Sequence, residues 1–282
     1  MLDWFLTPLS YAFMQRGLAA AVMVGILCSV IGGYVVLRSM AFMGDALAHA
    51  ILPGVAISYL AGGNLTIGAM AAAVLVALGI GYLSRQGTIK EDTAIGILFS
   101  AALSLGIVLI STIRTYAVDL THIMFGNVLG VSSSDLWLTA IISVLVLATV
   151  LVCYKPFLVI SFDPILASTL RLPVEFLRSL MLVLLAMTIV ISMQTVGVGL
   201  VAAMLVTPAA TGYLFARRLS VMMLISAAVG IVSSISGLYL SYYVNVASGA
   251  AIVLVATAIF LVSFFFSPRR GVLWGWLRQR VG

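Results

Sequence analysis

Long uninterrupted apolar runs constrain this chain more than any other feature. Nine can be read, at 13–37, 41–61, 65–83, 93–111, 136–152, 177–195, 198–216, 219–242 and 247–266. Most have the length of about 17 to 25 residues that crosses a hydrocarbon core as a helix. The runs are continuous, without the two-residue alternation of a membrane barrel, so a helical bundle is the expected architecture. Only 8% of the 282 residues are charged while 63% are hydrophobic. Soluble domains carry roughly a quarter charged residues; this chain needs a bilayer as its solvent. The polar stretches between runs are short, which predicts one all-α transmembrane domain over residues 1–282.

The breaks between runs carry charge or turn chemistry: Arg38-Ser39, Gly62-Gly63-Asn64, Arg85 to Asp92, Arg114 to Asp135, Lys155-Pro156 and Arg217-Arg218. With the N-terminus outside, twelve basic residues fall on the cytoplasmic side and only Arg16 and Arg114 on the outer side. The excess of Lys and Arg on cytoplasmic loops therefore sets an N-outside, C-inside topology for nine spans. Were one short segment re-entrant, eight spans would remain and the N-terminus would move inside. The same placement assigns the net charge of +6 to membrane orientation rather than to nucleic acid.

Asp3 stands where a basic signal-peptide n-region would lie, so no removable leader is expected. Cys28 and Cys153 sit inside or beside apolar runs, with neither metal-ligand spacing nor a disulfide framework. The sequence lacks a G-x-x-x-x-G-K-[ST] phosphate loop, so this chain is not expected to hydrolyse nucleotide itself. It also lacks HExxH, and no resident cofactor is expected.

Asp45 and His49 are the exception to the rule that charge lies at segment edges. Four residues apart on a helix, they project from one face. A carboxylate at the centre of a membrane helix costs about 2.5–3.5 kcal/mol on insertion scales, so something must offset it. Three accounts stand open. Asp45 lies near the inner end of its span and meets water or protonated His49; or the pair relays protons; or it binds a divalent cation, for which carboxylate and imidazole are suited. Two ligands from one helix make a weak site, but a two-fold axis through this face would bring four together.

Pro53 and Pro208 are expected to kink their helices. In the inner segment between Lys155 and Arg178, Asp163 reads as an N-cap with Pro164 at the first helical position, and Pro173 closes the unit. A short helix near 162–173 results, suited to docking. His122, with Asp119, lies in the outer segment between Thr112 and Asp135, where a solvated loop histidine and an outer metal-collecting site are both conceivable. The 13 methionines are scattered without spacing and read as packing.

Several stretches resemble the membrane permeases of bacterial ABC importers for manganese, zinc and iron(II). They are Leu37-Arg38-Ser39-Met40, then Met43-Gly44-Asp45-Ala46-Leu47-Ala48-His49-Ala50-Ile51-Leu52-Pro53-Gly54-Val55. Supporting stretches are Asp92-Thr93-Ala94-Ile95-Gly96-Ile97, Phe125-Gly126-Asn127-Val128-Leu129, Ser161-Phe162-Asp163-Pro164 and Met204-Leu205-Val206-Thr207-Pro208-Ala209-Ala210-Thr211. The resemblance runs from about residue 15 to 268. It implies a permease homodimer in the bacterial cytoplasmic membrane, two separate ATPase subunits and an extracellular metal-binding protein. It further implies that Asp45 and His49 bind the transported metal, and that Phe162, Asp163 and Pro164 dock on the ATPase. Arg16 and Arg114 are the candidates for meeting acidic groups of the binding protein. The proline after His49 and the Phe-Gly-Asn-Val-Leu stretch are closer to the manganese members than to the zinc ones. A carrier without an ATPase is the competing reading, and a purely structural membrane subunit is another.

Overall fold

The computed structural model describes residues 7–85, 90–112 and 128–267. Among these residues every regular element is helical. The helices are α1 (Ala12–Leu37), α2 (Ala41–Ala50), α3 (Leu52–Leu60), α4 (Leu65–Arg85), α5 (Glu91–Ser111), α6 (Ser133–Val152), α7 (Tyr154–Phe162), α8 (Pro164–Thr169), α9 (Val174–Val196), α10 (Val198–Phe215), α11 (Leu219–Val244) and α12 (Ser248–Phe266). Counting α2 and α3 as one span, Ala41–Leu60, eight helical segments among the described residues are long and apolar enough to cross a membrane; α10 contributes the shorter apolar stretch Val201–Phe215. All nine expected runs are therefore helical, eight of them at spanning length.

α1 is the central post. It packs against α6, α9, α10 and α11, and its buried positions include Gly17, Ala20, Ala21, Gly25, Ser29, Gly32 and Gly33. Small side chains let backbones approach where lipid supplies no hydrophobic drive for helix association. At the α1–α11 crossing, a Cβ on Gly25 would lie 2.9 Å from the Gly230 carbonyl oxygen, and one on Gly230 would lie 2.6 Å from the Gly25 oxygen. Beside this contact the Ser234 hydroxyl donates to the Ala21 carbonyl at 2.9 Å. Other buried hydroxyls are satisfied one turn back along their own helix: Ser29 on Gly25, Thr188 on Leu184 and Ser226 on Met222. Large apolar side chains such as Leu75, Ile97, Val144, Leu224 and Leu254 face outward, as a hydrocarbon solvent allows.

The helix ends follow local chemistry. Asn64 caps α4 by accepting from the Thr66 and Ile67 amides. Ser132 and Asp135 form a reciprocal capping box at α6, which starts that helix three residues before the apolar run itself. One residue, Gly197, joins α9 to α10 with φ 93° and ψ 157°, a conformation open essentially to glycine alone.

Pro53 acts as expected. The second span is interrupted at Ile51, giving α2 and α3, with Pro53 in the first turn of α3. α10 runs through Pro208 without a break in the helix.

The segment from Lys155 onward differs from its expected form as a loop with one short helix. After a single residue, Cys153, the chain re-enters a helix, α7, which buries Phe157 and Ile160. Pro156 is compatible with this because a proline in the first turn forfeits no intrahelical bond. The next helix, α8, begins at Pro164 as the N-cap reading requires and is six residues long.

Candidate metal pair and docking elements

Asp45 and His49 sit on α2, whose inward face is made by Met43, Gly44, Ala46, Leu47, Ala48 and Ala50. Gly44 packs on α10: a Cβ there would come within 3.1 Å of Leu205 Cδ1. The opposite face carries Phe42, 79% exposed, followed at three and seven residues by Asp45 and His49. Their side chains are 54% and 28% exposed, and His49 Nε2 stands 3.7 Å from Asp45 Oδ1. That separation exceeds a hydrogen bond, so the two groups lie side by side rather than satisfying each other. The His49 ring lies 6.2 Å from that of Phe99 on α5.

Pro53 bears directly on this pair. The residue four before it is His49, so the proline withholds the amide that the His49 carbonyl would meet in an unbroken helix. The break thus falls immediately beyond the histidine. Among the described residues no group of three or more His, Cys, Asp or Glu side chains gathers to hold a metal; this chain brings an acid and an imidazole to one outward stripe.

The second predicted element is also well defined. Asp163 accepts from the amides of Ile165 at 2.9 Å and Leu166 at 3.0 Å, closing the start of α8. Phe162, Ile165, Leu166 and Leu170 are exposed around it, while Ala167 anchors it. Leu172 returns an amide to the Ala167 carbonyl at 3.1 Å, and Pro173 is the N-cap of α9. Arg16 is at the far end of α1 from Arg38, half-buried, donating to Ser133 Oγ at 3.4 Å. Arg114, Asp119 and His122 lie outside the described residues, as do Arg269, Arg270, Arg278 and Arg280.

Two features escaped the sequence reading. Glu91, at the start of α5, takes Arg178 of α9 at 3.1 Å and Arg38 at 3.4 Å. All three side chains are 13–20% exposed. Burial draws the Arg38 guanidinium below its ordinary pKa; Glu91 opposes that shift, and the like charge of Arg178 adds to it. A looser pair, Arg85–Glu175 at 3.9 Å, joins α4 to α9. The basic residues Arg38, Arg85 and Arg178, which the charge count assigns to one side, thus meet α9 or Glu91 at one end of the bundle.

The second feature is a cavity of about 330 Å³ lined in part by Val55, Thr66, Asp135, Met193 and Gln194. Gln194 donates to Thr66 Oγ1 at 2.5 Å, and its buried Oε1 has no partner among the described atoms. Neither feature has a local sequence signature, because the partners are 53 to 128 residues apart.

An apolar bundle with eight spanning helices among the described residues, an acid–imidazole pair on an interrupted span and a capped short helix with exposed apolar side chains marks a polytopic membrane protein. The chain belongs to the ABC 3 transport family, whose model matches residues 10–267. It is accordingly the membrane-embedded component of an ABC transporter, a multi-pass protein of the bacterial plasma membrane. It is 51% identical over 265 residues to the manganese transport system membrane protein MntC of Halalkalibacterium halodurans, covering 94% of this chain and 91% of that one. It is also 42% identical over 270 residues to a Haemophilus influenzae protein described as a probable iron transport system membrane protein, with 96% and 99% covered. Among solved structures, PsaBC from Streptococcus pneumoniae in complex with Fab superposes with a TM-score of 0.86 at 41% identity, over 99% of this chain and 100% of the matched chain.

Proposed function

We propose that this chain is the permease of an ATP-driven importer that brings manganese into the cell through a path lined by Asp45 and His49. The observation that carries the reading is the outward stripe of Phe42, Asp45 and His49 on an interrupted span. A carboxylate left facing lipid is costly, and a second copy of the chain related by a two-fold axis removes that cost. Two aspartates and two histidines then converge where each chain alone offers one of each. Such a site replaces part of the ion's water shell yet remains weak enough to release it. The manganese assignment draws on the names of the relatives and on the proline after His49; iron(II) is the second reading, favoured by the Haemophilus influenzae relative, and zinc the third.

In this account residues 1–282 form one permease domain, N-terminus outside and C-terminus cytoplasmic. A solute-binding protein delivers the metal at the end marked by Arg16 and Arg114. Separate ATPase subunits take the exposed α8, which begins at Pro164 under the Asp163 cap, together with Phe162 just before it, and their closure on ATP moves the bundle. Pro53 supplies a natural bending point beside the metal pair. Metal crosses at the dimer axis and is released inward.

Reconstitution of the permease with its ATPase and binding protein in sealed vesicles tests the reading. Manganese uptake that requires ATP and exceeds that of iron(II) and zinc is expected. Equal uptake without the ATPase subunits would make the protein a carrier run by an ion gradient and sink the proposal.

A further inference from the structure

We propose that Glu91 is a positioning residue that transmits movement of the α8 end to the metal-bearing helix, through Arg178 on one side and Arg38 on the other. This inference rests on the reading of α8 as the ATPase-docking element.

The connection can be followed residue by residue. α8 is joined to α9 by four residues, with Arg171 at φ 55° and Pro173 as the cap of the next helix. Arg178 is five residues into α9 and holds Glu91 at two points, Nη2 to Oε2 at 3.1 Å and Nε to Oε1 at 3.4 Å. A forked guanidinium–carboxylate contact fixes direction as well as distance. From Glu91 two routes reach the metal pair. One passes through Arg38 Nη2, 3.4 Å from Oε2, to the segment in which Ser39 (φ 57°) and Met40 turn the chain into α2. The other passes up α5, where Phe99, eight residues and about 12 Å of helix rise from Glu91, lies against His49. A rotation of the start of α9 therefore pulls on both the foot of α2 and the helix flanking it. Arg38 also reaches Met181 Sδ at 3.9 Å, so the contact surface is continuous from α9 to α1.

Charge arithmetic suggests clean variants. Two guanidinium groups share one carboxylate, so removing Glu91 would strand two partly buried like charges, a severe disruption. Removing either arginine leaves a neutral ion pair. Arg38→Gln retains Glu91–Arg178, and Arg178→Gln retains Arg38–Glu91; each cuts the link on one side.

The test is the number of manganese ions imported per ATP hydrolysed by the full complex in vesicles. Arg178→Gln, which cuts both routes, is expected to lower that ratio about fivefold or more, the lower bound of ordinary site-to-site coupling, and Arg38→Gln, which spares the route along α5, to lower it by less, with assembly and melting temperature of both close to wild type. Arg85→Gln, which breaks the exposed Arg85–Glu175 pair, is expected to leave the ratio unchanged. If either glutamine variant fails to assemble, Arg38→Lys or Arg178→Lys takes its place under the same criterion, since lysine keeps the charge and loses the fork. An unchanged ratio in the variants on both sides of Glu91, or an equal loss in Arg85→Gln, would overturn the inference. A wild-type complex that imports no manganese would instead remove the functional reading beneath it.

Discussion

Asp163→Ala separates two roles that the sequence leaves fused. The Asp163 carboxylate accepts two amide hydrogen bonds at the start of α8, and it also carries charge to an exposed surface. A helix of six residues is far too short to form on its own, so the cap and the buried Ala167 hold it. Loss of an N-cap costs about 0.5–2 kcal/mol. If the ATPase takes only the helical form of α8, that cost passes into the association and weakens it about 2- to 30-fold. Asp163→Asn is the companion variant, because asparagine caps about as well as aspartate without the charge. The assay is titration of purified ATPase subunits onto the permease in nanodiscs. Weakening in the alanine variant alone is expected. If asparagine weakens binding as much as alanine, the carboxylate contacts the partner directly and the capping argument is wrong.

Two further substitutions probe the bundle itself. Gly230→Val forces a side chain against the Gly25 carbonyl and the Ser29 hydroxyl, and overpacking of this kind costs about 1–3 kcal/mol; a lower melting temperature of the detergent-solubilised permease is expected. Gly197→Ala places a Cβ on backbone at φ 93°, costing about 1–3 kcal/mol, and should lower the melting temperature comparably, although position 197 lies between helices rather than at a crossing.

The spans, the interruption at Pro53 and the cap at Asp163 were legible because each depends on residues close together in sequence. Apolar length marks a membrane helix, proline withholds a specific amide, and an acid just before a proline at N1 marks a helix start. The earlier start of α6 was available in the same way, from Ser132 and Asp135, but apolarity alone placed it at 136. α7 was missed because Lys155-Pro156 reads as a break, whereas a proline in the first turn is compatible with a helix whose Phe157 and Ile160 are buried. Glu91 shows the other kind of limit. Counting Arg38 and Arg178 toward membrane orientation assigns them to the same side, but only packing brings both onto one carboxylate. The Asp45–His49 spacing put the pair on one face, and the structure adds that this face points away from the chain's own core.

The most direct test of the account is manganese uptake by the assembled complex carrying Asp45→Asn or His49→Ala. Groups that merely orient metal ligands change affinity or activity by 10–100-fold when removed, so loss of a ligand itself should reach about 100-fold or more. The account predicts a loss of that size in both variants, with ATPase subunits still bound and the melting temperature little changed. Uptake at the wild-type rate in both would contradict it and leave Asp45 and His49 as structural residues.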